Sequence, residues 1–251
     1  MAPKTVFITG SNRGIGLGIV KELLKIEQLE VLIAGARNVE KAEELQSLAK
    51  SDSRLHLISI DVSDDDSLLD AFSQISEIVE NRGLNVLINN AAILEKYNSI
   101  STPNRKSVNR VLDVNATSGL LTCQIFLPLL QKANNTNTLS TDKAAIINIA
   151  SDSASQALNI GSWGPMGLLS YQMSKVAMLS FARTLAADYK NWNIPVLVTC
   201  IHPGWVKTDM GGPDAEISVE ESAEGVVNTI LKLDASHAGA LIDYKMEPIP
   251  F

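Results

Sequence analysis

The sequence predicts an α/β fold: a doubly wound, parallel sheet of seven strands with helices on both faces, in a single domain spanning residues 1–251. Two observations lead there. Short apolar runs alternate along the chain with longer segments of helical periodicity, the pattern that builds a parallel sheet whose crossovers are helices. The 251 residues are 45% hydrophobic and 20% charged, enough to fill a full core, and no Pro-, Gly- or Ser-rich linker divides them.

The first strand is expected at Thr5–Thr9, and a glycine-rich turn leads from it into a helix at Gly14–Ile26. A strand at Val31–Ala36, a helix at Val39–Ala49 and a strand at Leu55–Ile60 follow. Before the next helix, Asp65–Asn81, Ser63 and Asp66 have the spacing of a capping box, with Asp a shorter substitute for Glu or Gln. The run Asp64-Asp65-Asp66 places negative charge where a helix N-terminus favours it. A strand at Val86–Asn89 precedes a long helix, Asn104–Lys132. Asn134–Asp142 is too polar to pack and is expected as a surface loop ahead of the strand Ala145–Ala150. A helix at Tyr171–Tyr189 comes next, then a strand at Val196–Ile201 between Pro195 and Pro203, where a missing N–H does not break the ladder. A helix at Val219–Leu233 and a strand at Gly239–Ile242 complete the order.

The net charge of −7, with no Lys/Arg cluster, supplies no footprint for phosphate backbones or anionic lipid, so neither nucleic acid nor a membrane surface is expected as a partner. No apolar run is long enough to span a bilayer, and the strand beginning at Thr5 leaves no room for the apolar core of a signal peptide. Cys123 and Cys200 each lie in an apolar segment without a CxxC or His-rich companion, so buried reduced thiols are expected, and no metal site. A cytoplasmic location follows from both observations.

The first strand runs into Thr9-Gly10-Ser11-Asn12-Arg13-Gly14-Ile15-Gly16-Leu17-Gly18 and then an apolar helix, the context of a Rossmann-like phosphate cradle. Gly10, Gly14 and Gly16 allow a sharp turn and a close approach of backbone N–H groups to a pyrophosphate, while the helix N-terminus favours the negative charge. The spacing is TGxxxGxG rather than GxGxxG. At the end of the second strand, where NAD-specific folds place an acid for the ribose 2′-hydroxyl, stands Arg37. Its planar fork suits a 2′-phosphate, and Arg13 adds a second cation, so the pair points to NADP(H).

Twenty positions after Ser151, Tyr171-Gln172-Met173-Ser174-Lys175 opens an apolar helix. Residues i and i+4 share one helix face, so Tyr171 and Lys175 present a phenol and an ammonium to the same space. A free tyrosine has a pKa of about 10, and a neighbouring ammonium is expected to lower it toward neutrality. Ser151, at the C-terminal end of a strand, lies where doubly wound sheets bind ligands and is placed to hold a substrate oxygen beside Tyr171.

The chain resembles the short-chain dehydrogenase/reductases. Several of their motifs occur in the family's order: Thr9–Gly16, Asp61-Val62, Asn89-Asn90-Ala91-Ala92, Asn115, Ser151, Tyr171 with Lys175, and Pro203-Gly204. The stretch His202–Gly212 and the tail Ile249-Pro250-Phe251 look like the sniffer-type carbonyl reductases. The resemblance implies NADPH-dependent reduction of aldehydes, ketones, diketones or quinones, with Tyr171 as general acid and Ser151 polarising the carbonyl. It implies that Lys175 binds the nicotinamide ribose and that Asn115 holds a kinked helix and a water linking Lys175 to solvent. Asp61 and Val62 would contact adenine, and Asn89 and Ala91 would line the nucleotide. Val206 and Thr208, after Pro203 and Gly204, would hold the carboxamide and pyrophosphate, with Asn12 and Ile15 completing the glycine turn. Ala92 stands where the family usually has Gly, and Ala150 where a Ser often precedes the catalytic one.

A substrate pocket is expected from Ile93, Ser153, Trp163, Trp205 and Met210, within Ile93–Asn98, the insertion Asp152–Leu169 and the loop after Trp205. Its apolar lining, which Met166 and Leu168 extend, favours a hydrophobic carbonyl compound over a sugar. By the same resemblance, Asn104–Lys132 and Tyr171–Tyr189 would pair two copies into a homodimer. His202, beside Pro203, reads as a packed or hydrogen-bonded loop residue, and His56 and His237 carry no signal. The competing reading is a regulatory module that senses NADP(H) without turnover, against which the intact Ser151, Tyr171 and Lys175 argue.

Overall fold

The structure, a computed structural model, describes residues 2–134, 136–159 and 167–251. Seven strands, β1 (Thr5–Thr9), β2 (Val31–Ala36), β3 (Leu55–Ser59), β4 (Val86–Asn89), β5 (Ala145–Ile149), β6 (Leu197–His202) and β7 (Leu241–Asp243), form one sheet in the order β3-β2-β1-β4-β5-β6-β7. Every pairing is parallel, with Ile8 of β1 opposite both Ala34 and Ile88, and Ile149 of β5 opposite Ile201. Buried on both faces, β1, β2, β4 and β5 read as continuous apolar runs rather than as alternation.

The faces are separated by the strand period of two. Val6 and Ile8 of β1 point to the layer of α1 (Gly14–Leu24), α2 (Glu43–Ser51) and α7 (Val219–Ile230), where Leu17, Leu23, Leu45, Val226 and Ile230 close over them. Phe7 points to the other layer, with Leu68 and Ile75 of α3 (Asp65–Val79), Phe126 of α5 (Ser118–Ala133) and Met178 of α6 (Leu169–Asn191). Phe126 sits at the centre of that layer, 5.0 Å from the Phe7 ring and 5.7 Å from Phe72 in an edge-on pose. Each such pair contributes roughly 0.5–1.5 kcal/mol beyond its buried area.

The expected helix Asn104–Lys132 is interrupted. α4 (Arg105–Leu112) and α5 are separated by a π-turn at Asp113–Thr117, where the Ser118 N–H reaches back five residues to the Asp113 carbonyl. The cause is Asn115, whose side chain is fully buried and bonded outside its own helix. Val39–Ala49 likewise divides into a 3-10 turn, Val39–Lys41, and α2. Asp64, not Ser63, caps α3 by accepting the Ser67 N–H at 3.1 Å, because the Ser63 N–H and hydroxyl are both bound to Asp61. In the described part of the polar segment after α5 the chain is a loop as expected, but it is anchored: Asn134 donates to the Pro195 carbonyl at 2.7 Å and buried Thr141 to the Ile230 carbonyl at 3.0 Å. Cys123 and Cys200 are buried free thiols, and no helix among the described residues is long and apolar enough to cross a membrane.

β1 lies between β2 and β4, so the chain leaves β1 toward one sheet edge and later crosses to the other side. Ligands of open α/β sheets bind outside the C-terminal strand ends at such a reversal. Gly10, Arg37, Asp61, Ala91, Ser151 and His202 all fall at those ends.

Candidate active site

The glycine turn after β1 is fixed from two sides. Ser11 bonds the Gly35 carbonyl of β2 through both its N–H, at 3.0 Å, and its hydroxyl, at 2.9 Å. Asn90, just past β4, donates its amide to the Thr9 and Gly10 carbonyls, each at 2.9 Å, and the Thr9 hydroxyl accepts the Asn90 and Ala91 N–H groups at 3.1 Å. Gly10 has φ +66°, and a Cβ there would meet Ala91 Cα at 2.8 Å. A Cβ on Gly16 would stand 2.2 Å from the Gly10 carbonyl oxygen, so helix and turn touch backbone to backbone. Asn90 belongs to the motif Asn89–Ala92, but its role as the clamp on the turn is visible only in these bonds.

No side chain caps α1, and its first turn holds no acid. Its N-terminal donors and positive dipole end therefore face the turn, the arrangement an anion needs. Exposed Asn12 and half-buried Gly14 and Ile15 border it. Arg13 lies over the same opening and bonds Asp209 at 2.6 Å, with 70% and 79% of the two side chains exposed. A pair that solvated is worth under about 1 kcal/mol and opens readily to a phosphate. Arg37 is exposed at the end of β2 and makes no ion pair among the described residues.

Asp61 accepts the Ser63 N–H and hydroxyl at 3.0 and 2.8 Å, which orients its carboxylate, and Val62 lines the cleft above β1 and β4 with Asn89 and Ala91. The Asn89 amide is turned inward to Asn148 Oδ1 at 3.0 Å. Beyond β6, the Pro203 carbonyl accepts the Ser222 hydroxyl at 2.6 Å, and Gly204 has φ +85°. Val206 is buried against Ile217, while the Thr208 methyl lies beside Gly14. The loop after β6 therefore leans over the glycine turn at Thr208 and Asp209.

Ser151 follows β5, its hydroxyl donating to Asp152 Oδ1 at 2.9 Å and accepting the Ser153 N–H at 3.1 Å. Ser153 is buried in the 3-10 turn Asp152–Ala154 and meets Ser151 through its backbone. The Tyr171 phenol projects from the first turn of α6, close enough to Ser151 for that hydroxyl to pull its pKa down. Lys175, one turn on, is 2% exposed; its ammonium lies 5.5 Å from the Tyr171 ring centre and donates to the Ile149 carbonyl at 2.8 Å. Burial pushes Lys175 down to about 8. The expected lowering of Tyr171 by Lys175 is not present in this state. Burial first, and the Asp152 charge in addition, push the phenol up to about 12 against the pull of Ser151.

Asn115 joins these parts. Its Oδ1 accepts the Ile93 N–H at 2.8 Å, while its amide donates to the Ile93 carbonyl and the Ser174 hydroxyl, each at 2.9 Å. Ser174 in turn donates to the Tyr171 carbonyl at 2.7 Å. The π-turn, the start of α6 and the wall at Ile93 are thereby one hydrogen-bonded unit. Further along that wall, Tyr97 pairs with Gly167 and Leu169 by backbone bonds of 2.8 and 3.0 Å, fastening it to the entry of α6. Trp205 and Met210 are each 41% exposed at the rim, the indole N–H bonded to the Gly211 carbonyl at 2.9 Å. Trp163 and Met166, expected in the substrate pocket, lie outside the described residues.

A glycine turn at the switch point of a parallel sheet, beside a serine, a tyrosine and a lysine, is the arrangement on which the comparison with known proteins bears. The family model for short chain dehydrogenases matches residues 4–217, and the chain belongs to that family. Among solved structures, it is similar to the Sniffer protein of Caenorhabditis elegans, with 41% identity, full coverage of both chains and a TM-score of 0.90. The carbonyl reductase Sniffer of D. melanogaster shares 34% identity over 99% of this chain and all of that one, with a TM-score of 0.93. The NADPH-bound carbonyl reductase from chicken fatty liver shares 34% identity over all of this chain and 95% of that one, with a TM-score of 0.92.

Proposed function

We propose that this protein is an NADPH-dependent carbonyl reductase that converts hydrophobic aldehydes, ketones, diketones or quinones to alcohols. The observation that carries this reading is the convergence of Ser151, Tyr171 and Lys175 on one strand end, beside a glycine turn whose helix start is uncapped. NADPH fits the residues present: the first turn of α1 suits the pyrophosphate, Arg37 and Arg13 the 2′-phosphate, and Asp61 with Val62 the adenine side. When bound, NADPH supplies the hydride to the carbonyl carbon and leaves as NADP+.

The Tyr171 phenol gives its proton to the carbonyl oxygen as the carbon is reduced, so carbonyl, NADPH and one proton become alcohol and NADP+. Ser151 turns its hydroxyl from Asp152 to that same oxygen and stabilises the charge developing on it. Lys175 holds the ribose and, with Asn115 behind it, returns a proton to Tyr171. Trp205 and Met210, with half-exposed Leu158, offer apolar area to the substrate. A homodimer across α5 and α6 belongs to the same proposal, with Leu169 and Met173 exposed on α6 to meet a second copy.

The cofactor preference is tested at Arg37. Arg37→Asp replaces a planar phosphate-binding fork with a repelling charge, and roughly 10- to 100-fold weaker NADPH binding is expected while NADH changes less than about threefold. Fluorescence titration of both nucleotides measures it. Equal loss for both would remove Arg37 from phosphate recognition.

A further inference from the structure

The register of β5 and β6 places two side chains, fifty positions apart in sequence, behind the proposed proton donor. Ile149 pairs with Ile201, so the turn after β5 and the last residue of β6, His202, adjoin. Asp152 fills the space between. One carboxylate oxygen accepts the Ser151 hydroxyl at 2.9 Å, and the other lies 3.7 Å from His202 Nε2. Both side chains are mostly buried, at 27% and 15% exposed, and His202 Nδ1 is a buried nitrogen with no hydrogen-bond partner among the described residues. His202 is thus a strand-end residue facing the site rather than a loop residue. A carboxylate this sheltered is not explained as a solvated surface charge.

We propose that Asp152, held between Ser151 and His202, is a positioning residue that keeps Tyr171 protonated through neutral pH and so sets the pH at which alcohol oxidation begins. The proposal rests on the reading of Tyr171 as the proton donor. A negative charge beside a phenol disfavours the phenolate. Reduction needs Tyr171 protonated, whereas oxidation needs it ionised to take the alcohol proton, so the Asp152 charge moves the onset of oxidation to higher pH. Asp152 also holds the Ser151 hydroxyl while no carbonyl is present.

His202 adjusts this charge. Burial and Lys175 of α6 disfavour its imidazolium, whereas Asp152, Asp243 of β7 and Glu216 of the loop after β6 favour it, and burial, the largest of these, holds its pKa below the ordinary value. At pH 7 His202 is neutral and leaves the Asp152 charge at full strength. In acid, protonated His202 pairs with Asp152 and weakens its effect on Tyr171. Among the described residues, the groups facing Tyr171 itself are Ser151 and Asp152 from the turn after β5 and Lys175 from its own helix.

The test compares pH profiles of kcat/KM for alcohol oxidation and carbonyl reduction in wild type, Asp152→Asn and Asp152→Glu. Asn keeps the shape and hydrogen-bonding reach without the charge, and Glu keeps the charge in a different shape. The rising limb of oxidation is expected to move at least about one pH unit toward acid in Asp152→Asn. Asp152→Glu should return that limb toward wild type. Superimposable profiles for wild type and Asp152→Asn, or Glu more damaging than Asn, would overturn the proposal and leave Asp152 a packing residue. Failure of the underlying reading has a separate signature: Tyr171→Phe would then turn over as fast as wild type.

Discussion

Replacing Tyr171 by Phe is expected to lower turnover at least about a thousandfold while NADPH affinity stays within about threefold of wild type. Phe keeps the ring at the start of α6 and deletes only the phenolic oxygen. That oxygen lies beside Ser151, whose hydroxyl pulls its pKa down. General acid catalysis contributes 10² to 10⁴ in rate, and the change at Tyr171 removes it without disturbing the glycine turn more than 150 positions away in sequence. Single-turnover reduction and nucleotide titration together measure both quantities. Unchanged turnover would sink the assignment of Tyr171. A large loss of nucleotide affinity would show instead that the phenol is structural.

Lys175→Met separates activity from stability. The folded protein holds the ammonium in a buried position with one strong acceptor, the Ile149 carbonyl, and a weak contact to Met178 Sδ at 4.0 Å. Its pKa falls from 10.5 to about 8, which corresponds to roughly 3 kcal/mol of cost to the charged folded form. Met has similar reach and no charge, but it strands the Ile149 carbonyl at a cost of about 1–3 kcal/mol. A net gain of about 1 kcal/mol, seen as a Tm rise of about 2–4 °C near pH 7, is the expected result, together with at least a hundredfold loss of turnover. The sign of the pH dependence follows from the depressed value. Between about pH 8 and 10.5 the unfolded chain holds a proton that the folded chain has lost, so wild-type stability rises with pH there, and Lys175→Met removes that rise. Carbonyl reduction by the wild type should fall as pH climbs through about 8, because the ammonium is lost before Tyr171 titrates near 12. A Tm decrease in Lys175→Met, or reduction undiminished to pH 10, would contradict this account.

The sheet was legible because a parallel sheet buried on both faces writes each strand as an unbroken apolar run, as Val6-Phe7-Ile8 and Ile146-Ile147 show. The glycine turn was legible because its geometry admits few residue types. What escaped depends on contacts between distant segments. Apolar periodicity runs through Asn104–Lys132 unbroken, and only the bonds from Asn115 to Ile93 and Ser174 explain the π-turn within it. Ser63 and Asp64 are both good caps by residue type, and the choice between them was decided by the competing bond of Ser63 to Asp61. The i,i+4 spacing put Tyr171 and Lys175 on one face correctly, but it carried no information about burial, which turns Lys175 to the Ile149 carbonyl and raises the phenol. Asn90 bonds backbone carbonyls of β1 and its turn across the sheet, and Asp152 meets His202 only because β5 and β6 are neighbours.

Reduction of carbonyl compounds at the expense of NADPH is the activity proposed for this chain. Absorbance at the nicotinamide band, followed with aromatic aldehydes, diketones and quinones and with NADH run in parallel, tests it most directly. The expected result is substrate-dependent oxidation of NADPH, at least about tenfold faster than of NADH at equal concentration. NADPH that binds but is consumed no faster with any member of the panel than without it would contradict the account and favour a protein that senses the nucleotide instead.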